Sequence, residues 1–457
     1  MNPEDLVRTP MKMLDPNERI KNFDEVECGY TKEEAIKEAN RCLQCKVPQC
    51  TKGCPVGQRI PEWIKCIRED NLEEAYKLID EVSALPAICG RVCPQEQQCE
   101  KKCVRGVKGQ AISIGALERY VADHANRVKE NAPKETNGKK IAIIGSGPSG
   151  LTCAVDLARL GYDVTIYEAL HRPGGVLAWG IPEFRLPNRI VDEEIDLVKR
   201  LGVKIIFDTI VGRTVLLDDL EKEYDAIYIA NGANVPKFMG IPGEDGLGVM
   251  SANELLIRVN LMDGMLDNSR TPIKVPKIAY VIGGGNVAMD AARTIRRFGA
   301  ETHVMYRRSH DELPALGDES IQTEEEGVIF DYLTTPIEII KDSDTGKVKG
   351  MKCIKYELGE KGIDGRSTIK EIPNSEYEVV CDQVIYAISS SPNNMATRDT
   401  DILHMKNGLI FTNNYNTTID NVYAGGDTVT GPLTVIKAME AGRKSAKLID
   451  EKLKNNL

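Results

Sequence analysis

No run of about 18 apolar residues occurs in the 457-residue chain, so a membrane-spanning helix is not expected. The first twenty residues, MNPEDLVRTPMKMLDPNERI, lack the apolar core of a secretory signal, and the expected compartment is the cytoplasm. An excess of positive charge is also missing. The 59 Lys and Arg stand against 69 Asp and Glu, which argues against a nucleic-acid or anionic-membrane surface. Finally, no C-x2-C or C-x4-C pair follows either glycine-rich loop described below. A disulfide reductase built on such loops would need that pair, so this activity is set aside.

Cysteine is what the chain has in unusual measure. Ten of the thirteen fall between Cys28 and Cys103. In a large chain expected in the cytosol, such clustering points to metal rather than to disulfides. The run Cys42-x2-Cys45-x4-Cys50-x3-Cys54-Pro55 is close to the bacterial ferredoxin run and differs in its middle gap. A second group comprises Cys89, Cys93-Pro94, Cys99 and Cys103. Thiolates at these intervals can wrap a cuboidal cluster and share ligands with another. Zinc is the rival, since four-cysteine zinc sites are common. It would not explain two groups that each contain Cys-Pro beside nucleotide-binding loops. Eight ligands would serve two 4Fe–4S clusters, which leaves Cys28 and Cys66 as ordinary cysteines on helical patterns.

Length suggests about three domains. Residues 1–136 are cysteine-rich and helical in pattern, and the polar stretch NAPKETNGKK reads as a linker. Beyond it, the apolar strand Ile141–Ile144 runs into Gly145-Ser-Gly147-Pro148-Ser149-Gly150 and a helix. Those glycines permit a tight turn and let backbone N–H groups approach a pyrophosphate at the helix N-terminus. Glu168 ends the next strand, where a carboxylate can accept from ribose hydroxyls. A second loop, Gly283-Gly-Gly285-Asn286-Val287-Ala288, repeats the fingerprint, but the following strand ends in Arg307 and Arg308. A guanidinium pair binds a 2′-phosphate where an acid would repel it, so NADP(H) is expected there. Two solvated arginines on a strand end are the alternative. The late segment Val422-Tyr-Ala-Gly-Gly426-Asp427 resembles the second FAD-binding motif of flavoproteins with two dinucleotide-binding domains, as do Gly174 and Gly175. The expected class is therefore α/β. A helical iron–sulfur domain (1–136) precedes an FAD domain (137–240 plus 385–457), into which an NADP(H) domain (241–384) is inserted.

Taken together, RCLQCKVPQCTKGCPVGQRIPEWI, LPAICGRVCPQEQQCEKKC, AISIGALERYVAD, IGSGPSGL, GGVLAWGIPEFRLP, IGGGNVAMDAART and YRRS resemble one family along essentially the whole chain. That family is the small subunit of NADPH-dependent glutamate synthase and its relatives. By pattern the chain looks most like the large subunit of NADH-dependent reduced ferredoxin:NADP oxidoreductase, also called sulfide dehydrogenase. The resemblance implies FAD, NADP(H) and two interleaved 4Fe–4S clusters. One cluster would take Cys42, Cys45, Cys50 and Cys103. The other would take Cys54, Cys93, Cys99 and an oxygen ligand best matched by Glu118, with Cys89 a bystander; an exposed helical Glu is the alternative reading of that position. Leu177 and Arg185, in the run that contains Gly174 and Gly175, would lie on the flavin side. The implied function is electron transfer between NADPH, FAD and clusters, with no acid–base residue demanded. The implied partners are ferredoxin with a flavodoxin-reductase-like subunit, as in an electron-bifurcating complex, or a glutamate synthase large subunit. Glutamate formation by this chain alone is not expected: it begins Met1-Asn2 rather than with an amidotransferase cysteine and has no room for an FMN barrel.

Overall fold

A computed structural model describes residues 6–127, 135–315, 317–362 and 365–455. The N-terminal part is helical. Lys32–Asn40 starts at a capping box, in which the Thr31 side chain accepts from the Glu34 N–H and the Glu34 side chain accepts from that of Thr31. The amphipathic helices Ile60–Arg68 and Leu72–Asp80 bury Trp63, Ile64, Ile67 and Ile79 against Leu117 and Val121 of helix Ile114–His124. Two glycines set how tightly the cysteine-bearing segments cross. A Cβ on Gly90, in helix Pro86–Val92, would lie 2.6 Å from the backbone N of Arg119. One on Gly53 would lie 2.7 Å from the Gln98 carbonyl oxygen. A side chain at Gly53 would push the two cysteine groups apart, and one at Gly90 would push the second group away from the helix that carries Glu118.

The first sheet is five-stranded and parallel, in the order Val422–Ala424, Ala226–Ile229, Lys140–Ile144, Asp163–Tyr167, Lys204–Ile206. The second is also five-stranded and parallel, in the order Val249–Ser251, Gln383–Tyr386, Ile278–Ile282, Glu301–Tyr306, Ile329–Tyr332. It lies wholly between the fourth and fifth strands of the first in sequence, so the second unit is inserted in the first. Val235–Pro236 and Ser390–Ser391 pair antiparallel where the chain leaves and returns. Ile141–Ile144 and Ala279–Ile282 are buried nearly without break because both sheet faces are covered. In the second sheet, helices cover the Ala279 and Val281 face, and Ile339, Met351 and Cys353 of an antiparallel sheet cover the Tyr280 and Ile282 face. An antiparallel sheet of Thr334–Lys341, Val348–Lys361, Ser367–Glu371 and Tyr377–Val380, which the sequence reading did not separate out, extends the inserted unit. Among the described residues, no helix is long and apolar enough to cross a membrane.

The N-terminal segment is bound to the inserted unit by buried charge. Arg19 Nε lies 2.9 Å from Glu326 Oε1, and Arg293 and Arg297 reach the same carboxylate at 2.8 and 2.5 Å. Phe184 of the first unit stacks under Arg297 and Arg293, at 3.7 and 4.7 Å from ring centroid to guanidinium. Three parts of the chain therefore meet at one point.

Candidate functional site

Cys42, Cys45, Cys50 and Cys103 line one small cavity, partly open to solvent. Its remaining walls are largely aliphatic and include Leu43, Ile60, Ile64, Val104, Ile112 and Ile114. Burial pushes the Cys50 thiol up to about 11, and the Cys103, Cys42 and Cys45 sulfurs add to it, which shows how closely the four converge. All thirteen cysteines are free thiols. Among the described residues, no three His, Cys, Asp or Glu side chains converge tightly enough to hold a single ion. Four thiols spread around an aliphatic-walled cavity fit a multi-iron cuboid better than one tetrahedral zinc.

The second group lies deeper. Cys54, Cys93 and Cys99 are raised by burial, and the Glu118 carboxylate raises each further. Glu118 is 5% exposed, so it is no solvated helical glutamate. Burial lifts its carboxyl to about 7, opposed by Gln58 Nε2, which donates to Oε1 at 2.7 Å. The sequence reading did not single out Gln58, although it stands in the PVGQRIPEWI run; its burial is a tertiary property. Cys89 is fully buried near this group, where Glu118 and Cys54 add to the burial that raises its thiol. Its thiol contacts Met439 Sδ at 3.4 Å and accepts from Ser83 Oγ at 3.8 Å, within the core of the first parallel-sheet unit.

At the first glycine loop, helix Pro148–Arg159 begins with its N-terminus beside the end of strand Lys140–Ile144. Gly145 has φ +101°, and a Cβ on Gly150 would lie 2.0 Å from the Gly145 oxygen. At Gly147 nothing stands within 4 Å of the Cβ position, which leaves a cradle open to a ligand. Glu168 is buried and accepts from the N–H groups of Ser146 (3.0 Å) and Leu170 (2.9 Å) and from the Ser146 hydroxyl. Ser146 Oγ in turn accepts from Gly174 N at 3.0 Å, so one serine ties the loop, the acid and the Gly174–Gly175 turn together. Ser149 shares a 2.6 Å hydrogen bond with Tyr228, and a Cβ on Gly426 would press on Ser149 at 3.0 Å. Asp427 is raised to about 6 by burial, opposed by the N–H of Leu433. Leu177 is fully buried. Arg185 is already engaged: its guanidinium pairs with Asp290 at 2.7 Å and with Glu319, both on the inserted unit.

The second loop repeats this geometry. Gly283 has φ +143°, with its Cβ position 2.4 Å from the Ala387 oxygen, and Gly285 faces open space at the start of helix Asn286–Arg297. Val287 is exposed, whereas Ala288 is buried in the core. Arg307 is exposed at the end of strand Glu301–Tyr306. Arg308 is half-buried, and its Nε donates to the Ser367 carbonyl at 3.2 Å. The structure thus gives the two arginines different surroundings.

Comparison with known proteins gives the chain's family and fold likenesses. The family model described as dihydropyrimidine dehydrogenase domain II, 4Fe-4S cluster, matches residues 19–130, and that described as pyridine nucleotide-disulphide oxidoreductase matches residues 106–209 and 139–442. The chain is 38% identical to the NADP(+)-dependent formate dehydrogenase subunit beta of Moorella thermoacetica, over 89% of this chain and 60% of that protein. It is 35% identical to the glutamate synthase [NADPH] small chain of Escherichia coli, over 93% of this chain and 92% of that one. Among solved structures, FprA from Mycobacterium tuberculosis superposes with a TM-score of 0.59 at 21% identity, over 69% of this chain and 85% of FprA. That likeness concerns the fold.

Proposed function

The chain belongs to the family of glutamate synthase small chains and related NADP-dependent iron–sulfur flavoprotein oxidoreductases, and from that premise we propose which residues hold its cofactors and which complex it serves. The two loops cradle dinucleotides: Gly145, Gly147, Pro148, Ser149, Gly150, Glu168, Gly174, Gly175, Leu177, Gly426 and Asp427 hold FAD. Gly283, Gly285, Asn286, Val287 and Ala288 hold NADP(H), with Arg307 binding the 2′-phosphate and Arg308 braced against Ser367. Arg185 contributes by holding the inserted unit against the flavin side through Asp290 and Glu319. Cys42, Cys45, Cys50 and Cys103 hold one 4Fe–4S cluster; Cys54, Cys93, Cys99 and Glu118 hold a second. When bound, these groups supply hydride acceptance at the flavin and one-electron carriage at the clusters. The residues contribute placement, charge and exclusion of water.

The observation that carries this reading is the grouping of four cysteines from two distant segments around one aliphatic-walled cavity, in a chain that also carries two nucleotide-type loops. For the physiological role we favour the NADP(H)-handling subunit of an electron-bifurcating ferredoxin:NADP transhydrogenase. The second reading, a glutamate synthase small subunit, is supported by end-to-end matches to glutamate synthase small chains. Affinity purification from the native cell tests the choice. A flavodoxin-reductase-like partner with a 2Fe–2S site supports the first; a much larger amidotransferase partner supports the second and removes the first.

A further inference from the structure

We infer that residues 13–27 form a clasp that fixes the inserted unit in one orientation on the rest of the chain, with Phe23 and Arg19 as positioning residues for hydride delivery to the flavin. This rests on the reading that the second glycine loop holds NADP(H), and it adds what sets that loop's place. The chain passes between the first and inserted units twice, and the crossing segments pair as Val235–Pro236 with Ser390–Ser391. So short a ribbon resists rotation weakly, and units joined in this way move relative to each other unless further contacts hold them. Residues 13–27 supply such contacts from a closed loop: Met13 and Glu27 bridge antiparallel, and the Leu14 N–H donates to the Val26 carbonyl at 2.9 Å.

Within one short stretch this loop touches all three units. Glu25 pairs with Arg91 at 2.7 Å and with Arg119 at 2.9 Å, both in the helical unit. The Val26 N–H donates to the Phe184 carbonyl of the first parallel-sheet unit at 2.9 Å. Phe23 packs against the core of the inserted unit, its ring centroid 5.4 Å from that of Phe298 and 6.4 Å from that of Phe184. Arg19 lies buried at Glu326 and donates to the Gln322 carbonyl at 3.1 Å. What the clasp grips is the helix Asn286–Arg297. Arg293, Arg297 and the cap residue Phe298 stand at its C-terminal end, and the second glycine loop stands at its N-terminal end. Asp290 of the same helix is held by Arg185 of the first unit, so the helix is fixed from two sides. A helix of this length is a rod of about 18 Å, and a tilt at one end displaces the other. Transfer geometry is steep: a misplacement of about 1 Å costs up to about 100-fold in rate.

The test compares the wild-type holo-chain with Phe23→Ala and, as a second variant, Arg19→Gln. Stopped-flow absorbance reads flavin reduction by NADPH, calorimetry reads NADP+ affinity, and amide hydrogen exchange reads the joint at residues 386–391. Phe23→Ala should slow flavin reduction about tenfold or more. Iron, flavin content and NADP+ affinity should stay within about twofold of wild type, which separates placement from binding. Exchange at the joint should quicken about tenfold as the inserted unit is freed. Arg19→Gln should move both readouts in the same direction, and Phe23→Leu, which restores apolar bulk, should recover most of each. Phe23 is only half-buried, so Phe23→Ala decides the question even where Arg19→Gln does not fold. An unchanged reduction rate, a slowing matched by lost flavin or lost NADP+ affinity, or unchanged exchange at the joint would each overturn the proposal. A wild-type chain that binds no flavin or no NADP+ would overturn the cofactor reading alone, because the exchange measurement reports on the clasp either way.

Discussion

Replacing Glu326 with alanine would remove the carboxylate shared by Arg19, Arg293 and Arg297. All four side chains are at most 1% exposed, and the contacts are 2.9, 2.8 and 2.5 Å. Arg19 would keep Glu325 at 2.8 Å, so the loss falls on Arg293 and Arg297, stacked over Phe184. Breaking a buried pair by removing one partner costs about 3–5 kcal/mol, and stranding two cations places this variant near the top of that range. With the inserted unit of ordinary domain size, that corresponds to a fall of about 10 °C in its melting transition. Scanning calorimetry resolving more than one transition is the appropriate assay, since a chain of several units does not unfold as two states. The pH dependence supplies a second check. Burial pushes the Glu326 carboxyl up, but Arg297 and Arg293 outweigh it and hold the group below its ordinary value. A depressed carboxyl contributes stability that is present above its unfolded value and lost as pH falls through the folded one. The gap between wild type and Glu326→Ala should therefore be full at neutral pH and shrink below about pH 4. A shift under about 2 °C at neutral pH, or a gap that persists in acid, would refute the argument.

Cys103→Ala should cost about half the bound iron and leave a second cluster's spectrum, whereas Cys89→Ala should leave both; equal losses from the two would break the proposed grouping, read by iron analysis and electron paramagnetic resonance. Replacing Glu118 with alanine should perturb the spectrum of one cluster only, and two unaltered spectra would remove it as a ligand. Arg307→Ala should reduce kcat/KM for NADPH about 10- to 100-fold with little change for NADH, and Arg308→Ala less; an unchanged preference would remove the 2′-phosphate assignment. Gly150→Ala places a methyl 2.0 Å from the Gly145 oxygen, so the purified protein should lack flavin absorbance while the iron–sulfur bands persist. His303 is raised by the hydrogen bond its Nδ1 donates to the Asp331 carboxylate, opposed by burial, and Asp331→Asn should lower its titration midpoint by nuclear magnetic resonance. The pair's contribution to stability is present below the imidazole's ordinary value and fades as pH rises through the elevated one.

The two nucleotide-type units were legible because their signals are local. A strand, a glycine turn and a helix start lie within about ten residues, and positive φ at Gly145 and Gly283 can be anticipated from residue type alone. The insertion was legible from the late return at Val422–Ala424. Less was legible where distant residues set the environment. Nothing in the YRRS run distinguishes Arg307 from Arg308; strand Ser367–Glu371, some sixty residues on, does. Arg185 read as a flavin-side residue, and its pairing with Asp290 and Glu319 depends on how the inserted unit packs.

The cysteines show the division most clearly. Spacing alone established that residues 42–54 and 89–103 carry metal-type runs, because thiolate reach along a chain is a local property. It did not establish which thiols face the same space; an interleaved set was implied only by family resemblance. Tertiary packing brings Cys103 to the cavity of Cys42, Cys45 and Cys50, and it sets Cys54 beside Cys93, Cys99 and Glu118. The physical reason is close approach at Gly90 and Gly53, where the absence of a Cβ lets the segments cross. That same packing buries Glu118 and turns Cys89 toward Met439.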